Sequence, residues 1–229
     1  MTKHVLVDAD PLAYRAVFSK DGDTIGGVIE KVDELFTRIT DKVQERFGND
    51  LIFKAYLTGS SNFRKEIASD YKSNRVGEKP VLLGFARDYI LENYPCEVTE
   101  GEEADDAIAI EATNRYPNAV VVSIDKDFRQ IPCLLYNPNR DTWEQIEEFE
   151  GLKFFYTQLL TGDNVDNIKG VWKIGPVKAS KILEGATTEL ELWKRCLEAY
   201  EGDRDRAVMN GRLLWLRRHE NQLWTPPES

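Results

Sequence analysis

The residues of this chain best suited to chemistry are its carboxylates. Asp8 closes the apolar run HVLVD, with Asp10 two positions on, and Glu103, Asp105 and Asp106 cluster in EGEEADDAIA. Asp125 and Asp127 follow AVVVSI, and Asp163 and Asp166 lie in LTGDNVDNIKG. Gathering so many carboxylates in one place is electrostatically unfavourable, because like charges raise each other's pKa values. Divalent cations relieve that conflict, and an oxygen-only donor set suits magnesium or manganese over zinc. Each group alone has an ordinary explanation. Acids in a first helical turn complement the helix dipole, Asp125 and Asp127 could be turn and cap residues, and Asp163 and Asp166 could form an Asx-type turn. Their joint placement at strand and helix ends is what points to a metal centre.

Other catalytic groups are sparse. With only His4 and His219 present, a zinc site or a histidine-based triad is not expected. Cys96, Cys133 and Cys196 are far apart, odd in number and form no CxxC pair, so reduced thiols are expected. Neither DKDFRQ nor DNVDNI has the glycine that an EF-hand needs at its sixth position. Gly170 and Gly175 have P-loop spacing, but Pro176-Val177 follows where Lys-Ser/Thr is required.

The elements that must position the acids follow from hydrophobic period. HVLVD (4–8) reads as a buried strand, and Asp10-Pro11 as an N-cap with proline at the first helical position. Val28, Val32, Leu35, Ile39, Val43 and Phe47 predict an amphipathic helix that ends at Gly48. LIFKAYL (51–57) is a second strand, and Pro80 is expected to open a helix with Leu83, Ala86, Ile90 and Leu91 on one face. CEVT (96–99) reads as a short strand before a helix over about 102–115, AVVVSI (119–124) as a third strong strand and CLLYN (133–137) as a fourth. This alternation predicts a mostly parallel sheet flanked by helices, in which strand ends and the following helix starts share one ligand-binding edge. After Phe149 the pattern turns helical, over 152–161, 176–184 and on to about 219, with a loose tail TPPES. The expected organisation is an α/β core over 1–150, including a long connection at 58–80, and a helical region over 151–229 packed on it as one unit.

Two stretches reverse the acidic trend. NIKGVWKIGPVKASKIL (167–183) carries Lys169, Lys173, Lys178 and Lys181 and no acid, and its glycine-rich turn at Gly175 offers backbone N–H groups to phosphate. NFRKEIASDYKSNR (62–75) interleaves Arg64, Lys65, Lys72 and Arg75 with Phe63 and Tyr71, a mixture suited to single-stranded nucleic acid, though both stretches could also be solvated surface. The net charge of −10 argues against nucleic acid only on average, because nine of the 40 acids sit in the four groups named above. The 229 residues, 41% of them hydrophobic, suffice for a real core, and no apolar run approaches the roughly 20 residues of a membrane span. MTKHVLVDAD runs straight into a strand, so no signal peptide is expected.

In order, VLVDAD, NFRKEIASDYKSNR, EGEEADDAIA, VVSIDKDFRQI and LTGDNVDNIKGVWKIGPVKASKIL resemble the flap endonuclease/5′–3′ exonuclease family. That family includes bacteriophage exonucleases and the 5′ nuclease domain of bacterial DNA polymerase I. The resemblance runs from Val5 to about Leu183, and NGRLLWLRRHENQLWTPP (210–227) looks like the closing segment of phage members. It implies a PIN-like α/β core, a helical arch or loop over the active site, and a C-terminal helix–two-turn–helix module that grips duplex DNA. It further implies two Mg2+ (or Mn2+) ions held by Asp8, Glu103, Asp105, Asp106, Asp125, Asp127, Asp163 and Asp166. Lys72 and Arg75 would act on the scissile phosphate. Arg64, Lys65, Tyr71, Lys72, Arg75, Lys169, Lys173, Gly175, Lys178 and Lys181 would bind DNA, and backbone carbonyls of Val171 and Ile174 would hold a potassium ion. The implied activity is two-metal hydrolysis at DNA 5′ ends, flaps or nicks, leaving 5′-phosphate and 3′-hydroxyl ends. RNA primers are possible substrates. The implied setting is replication in a bacterial or phage-infected cytoplasm, by a monomer without membrane attachment.

Many relatives carry a further aspartate after the second strand, where this chain reads LTGSSNFR with Gly59 in its place. One metal is therefore expected to be held more loosely or through water. Two other readings fit parts of the pattern. Asp8-Ala9-Asp10 matches the DxD of a haloacid-dehalogenase-type phosphatase but leaves the Glu103 group and the lysine turn unexplained. A non-enzymatic DNA-binding scaffold is supported by Gly59 alone.

Overall fold

The computed structural model describes residues 2–228. Strand β1 (Lys3–Asp8) has Val5, Leu6 and Val7 buried in succession, as an inner parallel strand covered on both faces requires. Helix α1 (Asp10–Val17) follows after one residue, with Asp10 inside its first turn rather than capping it. Helix α2 (Ile25–Phe47) starts at Thr24, whose hydroxyl accepts the Gly27 N–H, and stops at Gly48, where φ is 78°. After β2 (Leu51–Thr58) the connection holds one short helix, α3 (Arg64–Ile67). Helix α4 (Leu83–Asn93) begins three residues after Pro80, whose carbonyl closes a turn with the Leu83 N–H; Leu91, expected inside, is exposed. Then come β3 (Cys96–Thr99), α5 (Ala104–Ile110) continuing into a π-helical turn over Glu111–Arg115, and β4 (Val120–Val122). A 3-10 turn (Lys126–Gln130), β5 (Cys133–Asn137) and β6 (Thr142–Ile146) complete the sheet.

The strand order is β3-β2-β1-β4-β5-β6, parallel throughout except for β6, which runs antiparallel to β5. β6 is absent from the sequence reading because TWEQI buries only Ile146 and so shows no apolar run. Val5, Val7, Ala55, Leu57, Val120 and Val122 face α1, α2 and α4, whereas Leu6, Tyr56 and Val121 face α5 and the 3-10 turn. The chain steps outward from β1 to β2 and β3 and then crosses back to lay β4 on the other side of β1, so a crevice opens at the carboxyl ends of these central strands.

The rest is helical: α6 (Glu148–Thr161), a two-residue ladder of β7 (Gly162–Asp163) with β8 (Ile168–Lys169), α7 (Pro176–Ile182), α8 (Glu189–Ala199) and α9 (Arg204–Leu214). Phe155, Leu159, Trp193, Leu213, Trp215 and Trp224 form its core. The chain beyond α9 is tied down: Trp224 lies on Gly211, where a Cβ would stand 2.3 Å from the indole, and Pro226 and Pro227 are half-buried rather than loose. Gln130, from the 3-10 turn, donates to Gln158 of α6 and to the Leu214 carbonyl, joining sheet and helices. Among the described residues no helix is long and apolar enough to cross a membrane.

Candidate metal centre and nucleic-acid interface

The crevice is built from element ends. Asp8 is the last residue of β1, buried, and its Oδ2 accepts a hydrogen bond of 2.7 Å from the Ser123 hydroxyl just beyond β4. The Ser123 Oγ accepts the Asp125 N–H, and Asp125 caps the 3-10 turn by accepting the Asp127 N–H at 2.9 Å. Asp127 in turn accepts from Gln158 at 2.7 Å. Glu103 is the N-cap of α5 and Asp105 lies in its first turn. Two adjoining cavities, of about 600 and 450 Å3, share Glu103, Asp105, Asp125, Lys72 and Arg75 in their walls. Asp8 and Asp10 line the larger; Asp127, Asp163 and Asp166 line the smaller.

Crowding shows in the proton affinities. Burial pushes Asp8 up to about 8, with repulsion from Asp10 and Asp125 added and the Ser123 bond opposing. Asp105 is raised well above the usual carboxylate range by burial and by Asp8, Asp125 and Glu103. Burial and Asp125 bring Asp127 to about 6. Burial also acts on Asp163, but Lys126 and the Val165 N–H outweigh it and hold that acid below its ordinary value. The protein's own cations stand among these acids. Lys72 binds Glu103 and lies 3.7 Å from Asp166, Arg75 meets Asp166 at 2.6 Å, and Lys126 meets Asp163 at 2.5 Å and Asp127 at 3.2 Å. With side chains so paired, no three carboxylates among the described residues surround one point in a ready metal-binding arrangement. The donor chemistry nonetheless fits a hard divalent cation: every donor is a carboxylate oxygen, and several are held in a form that favours uptake of positive charge. Lys72 is fixed in place by its backbone, with φ of 57° and its N–H bonded to the Asp166 carbonyl at 3.0 Å.

Three expected site residues belong to the scaffold instead. Arg64, expected on DNA, is 1% exposed; it grips both oxygens of Asp106 and donates to the Leu213 and Trp215 carbonyls, so it cannot reach a ligand. Asp106, expected on metal, is fully buried and held below its ordinary pKa: burial opposes this, but Arg64 and the Arg217 N–H prevail. Tyr71, expected to stack on bases, is 4% exposed, and its hydroxyl shares its one proton between Glu103 at 2.9 Å and Asp166 at 3.0 Å while its ring joins the helical core. The 62–75 segment thus lies down against the loop of residues 163–167, as Asn74 to the Asn164 carbonyl and Asn167 to the Asp70 carbonyl also show. Lys65, Lys169, Lys173, Gly175, Lys178 and Lys181 are exposed, and Val171 and Ile174 sit in a turn closed by the Ile174 N–H on the Val171 carbonyl. The sequence reading missed Ser123, Lys126 and Gln158, which orient or neutralise the acids; the DKD spacing alone could have suggested Lys126.

Gly59 has a steric reason. A Cβ there would stand 2.0 Å from the Thr99 carbonyl oxygen and 2.8 Å from the Glu100 carboxylate. Beside it, Asp10 Oδ2 accepts the Thr58 N–H at 2.9 Å, and Arg87 bridges the other Asp10 oxygen and the Thr58 carbonyl. Gly59→Asp is therefore expected to destabilise the fold by about 1–3 kcal/mol through overpacking, and to leave magnesium binding no tighter. Urea unfolding and metal titration of the variant check both outcomes.

Residues 3–148 match the family model described as the 5′-3′ exonuclease, N-terminal resolvase-like domain. DNA polymerase I of Rhizobium leguminosarum is 31% identical over 210 residues, covering 78% of this chain and 20% of the polymerase. The flap endonuclease Xni of Shewanella piezotolerans is 30% identical over 142 residues, covering 54% of each. The chain therefore spans about a fifth and about half of these two relatives. Among solved structures, T5 5′-exonuclease with bound zinc superposes with a TM-score of 0.69 at 17% identity, covering 93% of this chain and 89% of that one. The catalytic core of Rad2 in complex with DNA substrate gives 0.59 at 17% identity, covering 99% and 84%. These two likenesses show a shared PIN-like fold. With its mostly parallel sheet, its carboxylate crevice and a family match over well more than half its length, the chain belongs to the 5′-3′ exonuclease family through its N-terminal resolvase-like domain.

Proposed function

We propose that the chain is a structure-specific 5′ nuclease that hydrolyses DNA at 5′ ends, flaps or nicks and leaves 5′-phosphate and 3′-hydroxyl ends. The observation that carries this reading is the crevice where Asp8, Glu103, Asp105, Asp125, Asp127, Asp163 and Asp166 meet alongside Lys72 and Arg75. Those seven carboxylates would hold two magnesium or manganese ions; Asp106 is left out because Arg64 takes both its oxygens. When bound, such ions acidify the attacking water and offset charge on the leaving oxygen. The chain's own residues do the rest. Ser123 and Gln158 orient Asp8 and Asp127. Lys72 and Arg75 exchange carboxylate for the scissile phosphate and stabilise the charge that builds on it. The 170–175 turn and the lysines beside it hold the duplex, and the carbonyls of Val171 and Ile174 would hold a potassium ion. The reading extends to RNA primers and to a monomer acting in replication in a bacterial or phage-infected cytoplasm.

Cleavage of 5′-labelled nicked and flapped duplexes in magnesium tests this, with product lengths separating exonuclease from flap-endonuclease action. Asp127→Asn, folded and still binding DNA, is expected to cleave at least about 100-fold more slowly. Wild-type rates from that variant would overturn the assignment, and tight flap binding without cleavage in magnesium or manganese would make the protein a scaffold.

A further inference from the structure

Trp193, Trp215 and Trp224 are buried and Trp143 is packed on Tyr136, but Trp172 is 82% exposed. Tryptophan is among the most costly side chains to leave in water, and this one sits at the tip of the turn between β8 and α7. The tip is braced from below. The Val171 N–H bonds the Leu160 carbonyl at 2.8 Å, the Ile174 N–H bonds the Val171 carbonyl at 3.1 Å, and the Ile174 side chain is buried. Lys173 has φ of 59° and holds its ammonium 5.9 Å from the indole centre. A rigid turn thus presents an aromatic face flanked by a cation.

The surroundings indicate what covers that face. Lys169, Lys173, Lys178 and Lys181 are exposed, no acid lies between residues 167 and 183, and none of the four lysines is in an ion pair among the described residues. Phosphates complement the lysines, and the surface beside phosphates in a duplex is the apolar edge of the sugars. Trp172 follows Asp166, in the crevice wall, by six residues, a reach of at most about 20 Å. A duplex touching both is therefore spanned over at most about six base pairs, at 3.4 Å per step along a strand. Resting on the 5′ nuclease reading, we propose that Trp172 lays its indole against the deoxyribose edge of duplex DNA gripped by this turn, adding an apolar, salt-independent component to binding.

Fluorescence anisotropy of the full chain with a labelled flapped duplex, in calcium across a salt series, reads the two components separately. Trp172→Ala is expected to weaken binding about tenfold at every salt concentration without changing the slope of log K against log salt, and Trp172→Phe to recover most of the loss. Lys178→Ala is expected to reduce that slope by about one. Bound duplex is also expected to shield the acrylamide-accessible tryptophan emission of the wild type, a component missing from Trp172→Ala. If wild type binds and Trp172→Ala binds equally, or if the loss is confined to single strands, the assignment to the duplex edge is overturned alone. If the wild type binds no duplex at any salt, the nuclease reading falls with it.

Discussion

Asp105→Asn is expected to cleave roughly 1000-fold more slowly in magnesium and yet to be more stable than wild type when metal is absent. The two effects have one origin. Asp105 sits in protein surroundings beside Asp8, Asp125 and Glu103, and its carboxyl is raised well above the usual range. Asparagine keeps the shape and removes the charge that the neighbours oppose. The pH window follows from the neighbouring Asp8, raised from 3.8 to about 8. The folded chain binds that proton more tightly than the unfolded chain, so this group's contribution to stability is largest at low pH. It declines as pH rises from about 4 to about 8 and is flat above. Thermal melts without metal should therefore show Asp105→Asn above wild type at pH 8 and nearly level with it at pH 4. Magnesium should raise the wild-type midpoint more at pH 8 than at pH 5, and raise that of the variant less. A variant no more stable than wild type at pH 8 would mean that the crowding is relieved some other way.

The second large effect concerns stability alone. Arg64→Met is expected to lower the folding free energy by about 3–5 kcal/mol, because it leaves Asp106 charged in the interior and two carbonyls without donors. For a chain of this size that is a fall on the order of 10 °C in midpoint. Arg64→Lys should recover little, since one ammonium cannot replace a fork that meets both carboxylate oxygens and two carbonyls. The double variant Arg64→Met, Asp106→Leu should return much of the loss by removing the stranded charge. Calorimetry of the three variants decides it; a single Arg64→Met variant as stable as wild type would show that Asp106 finds another partner.

What the sequence made legible was whatever repeats locally. HVLVD and AVVVSI are apolar runs ended by acids, so strand, strand end and acid could be read together, and parallel topology then places Asp8 beside Asp125. The places of Arg64 and Tyr71 are not legible in the sequence because a basic and aromatic stretch looks the same whether it faces DNA or folds under. Their partners, Asp106, Leu213 and Trp215 for one and Asp166 for the other, lie far along the chain. β6 and the ladder of β7 with β8 are hard to read for a different reason: each buries a single apolar side chain, Ile146 or Ile168, and is otherwise pinned by backbone pairing. In the sequence Gly59 looks like a missing ligand, and only the nearby Thr99 carbonyl shows that no side chain fits there.

The carbonyls that hold Arg64 lie 149 and 151 residues further along the chain. During synthesis at about 5–20 residues per second, the segment bearing Lys72 and Arg75 therefore waits roughly 8–30 s for its anchor. Only in about the last third of that interval has every acid of the crevice up to Asp166 been made, and Arg64 and Asp106 then still lack the Leu213 and Trp215 carbonyls and the Arg217 N–H that complete their network. The crevice is thus one of the last parts of the fold to be completed, although most of its residues are made early.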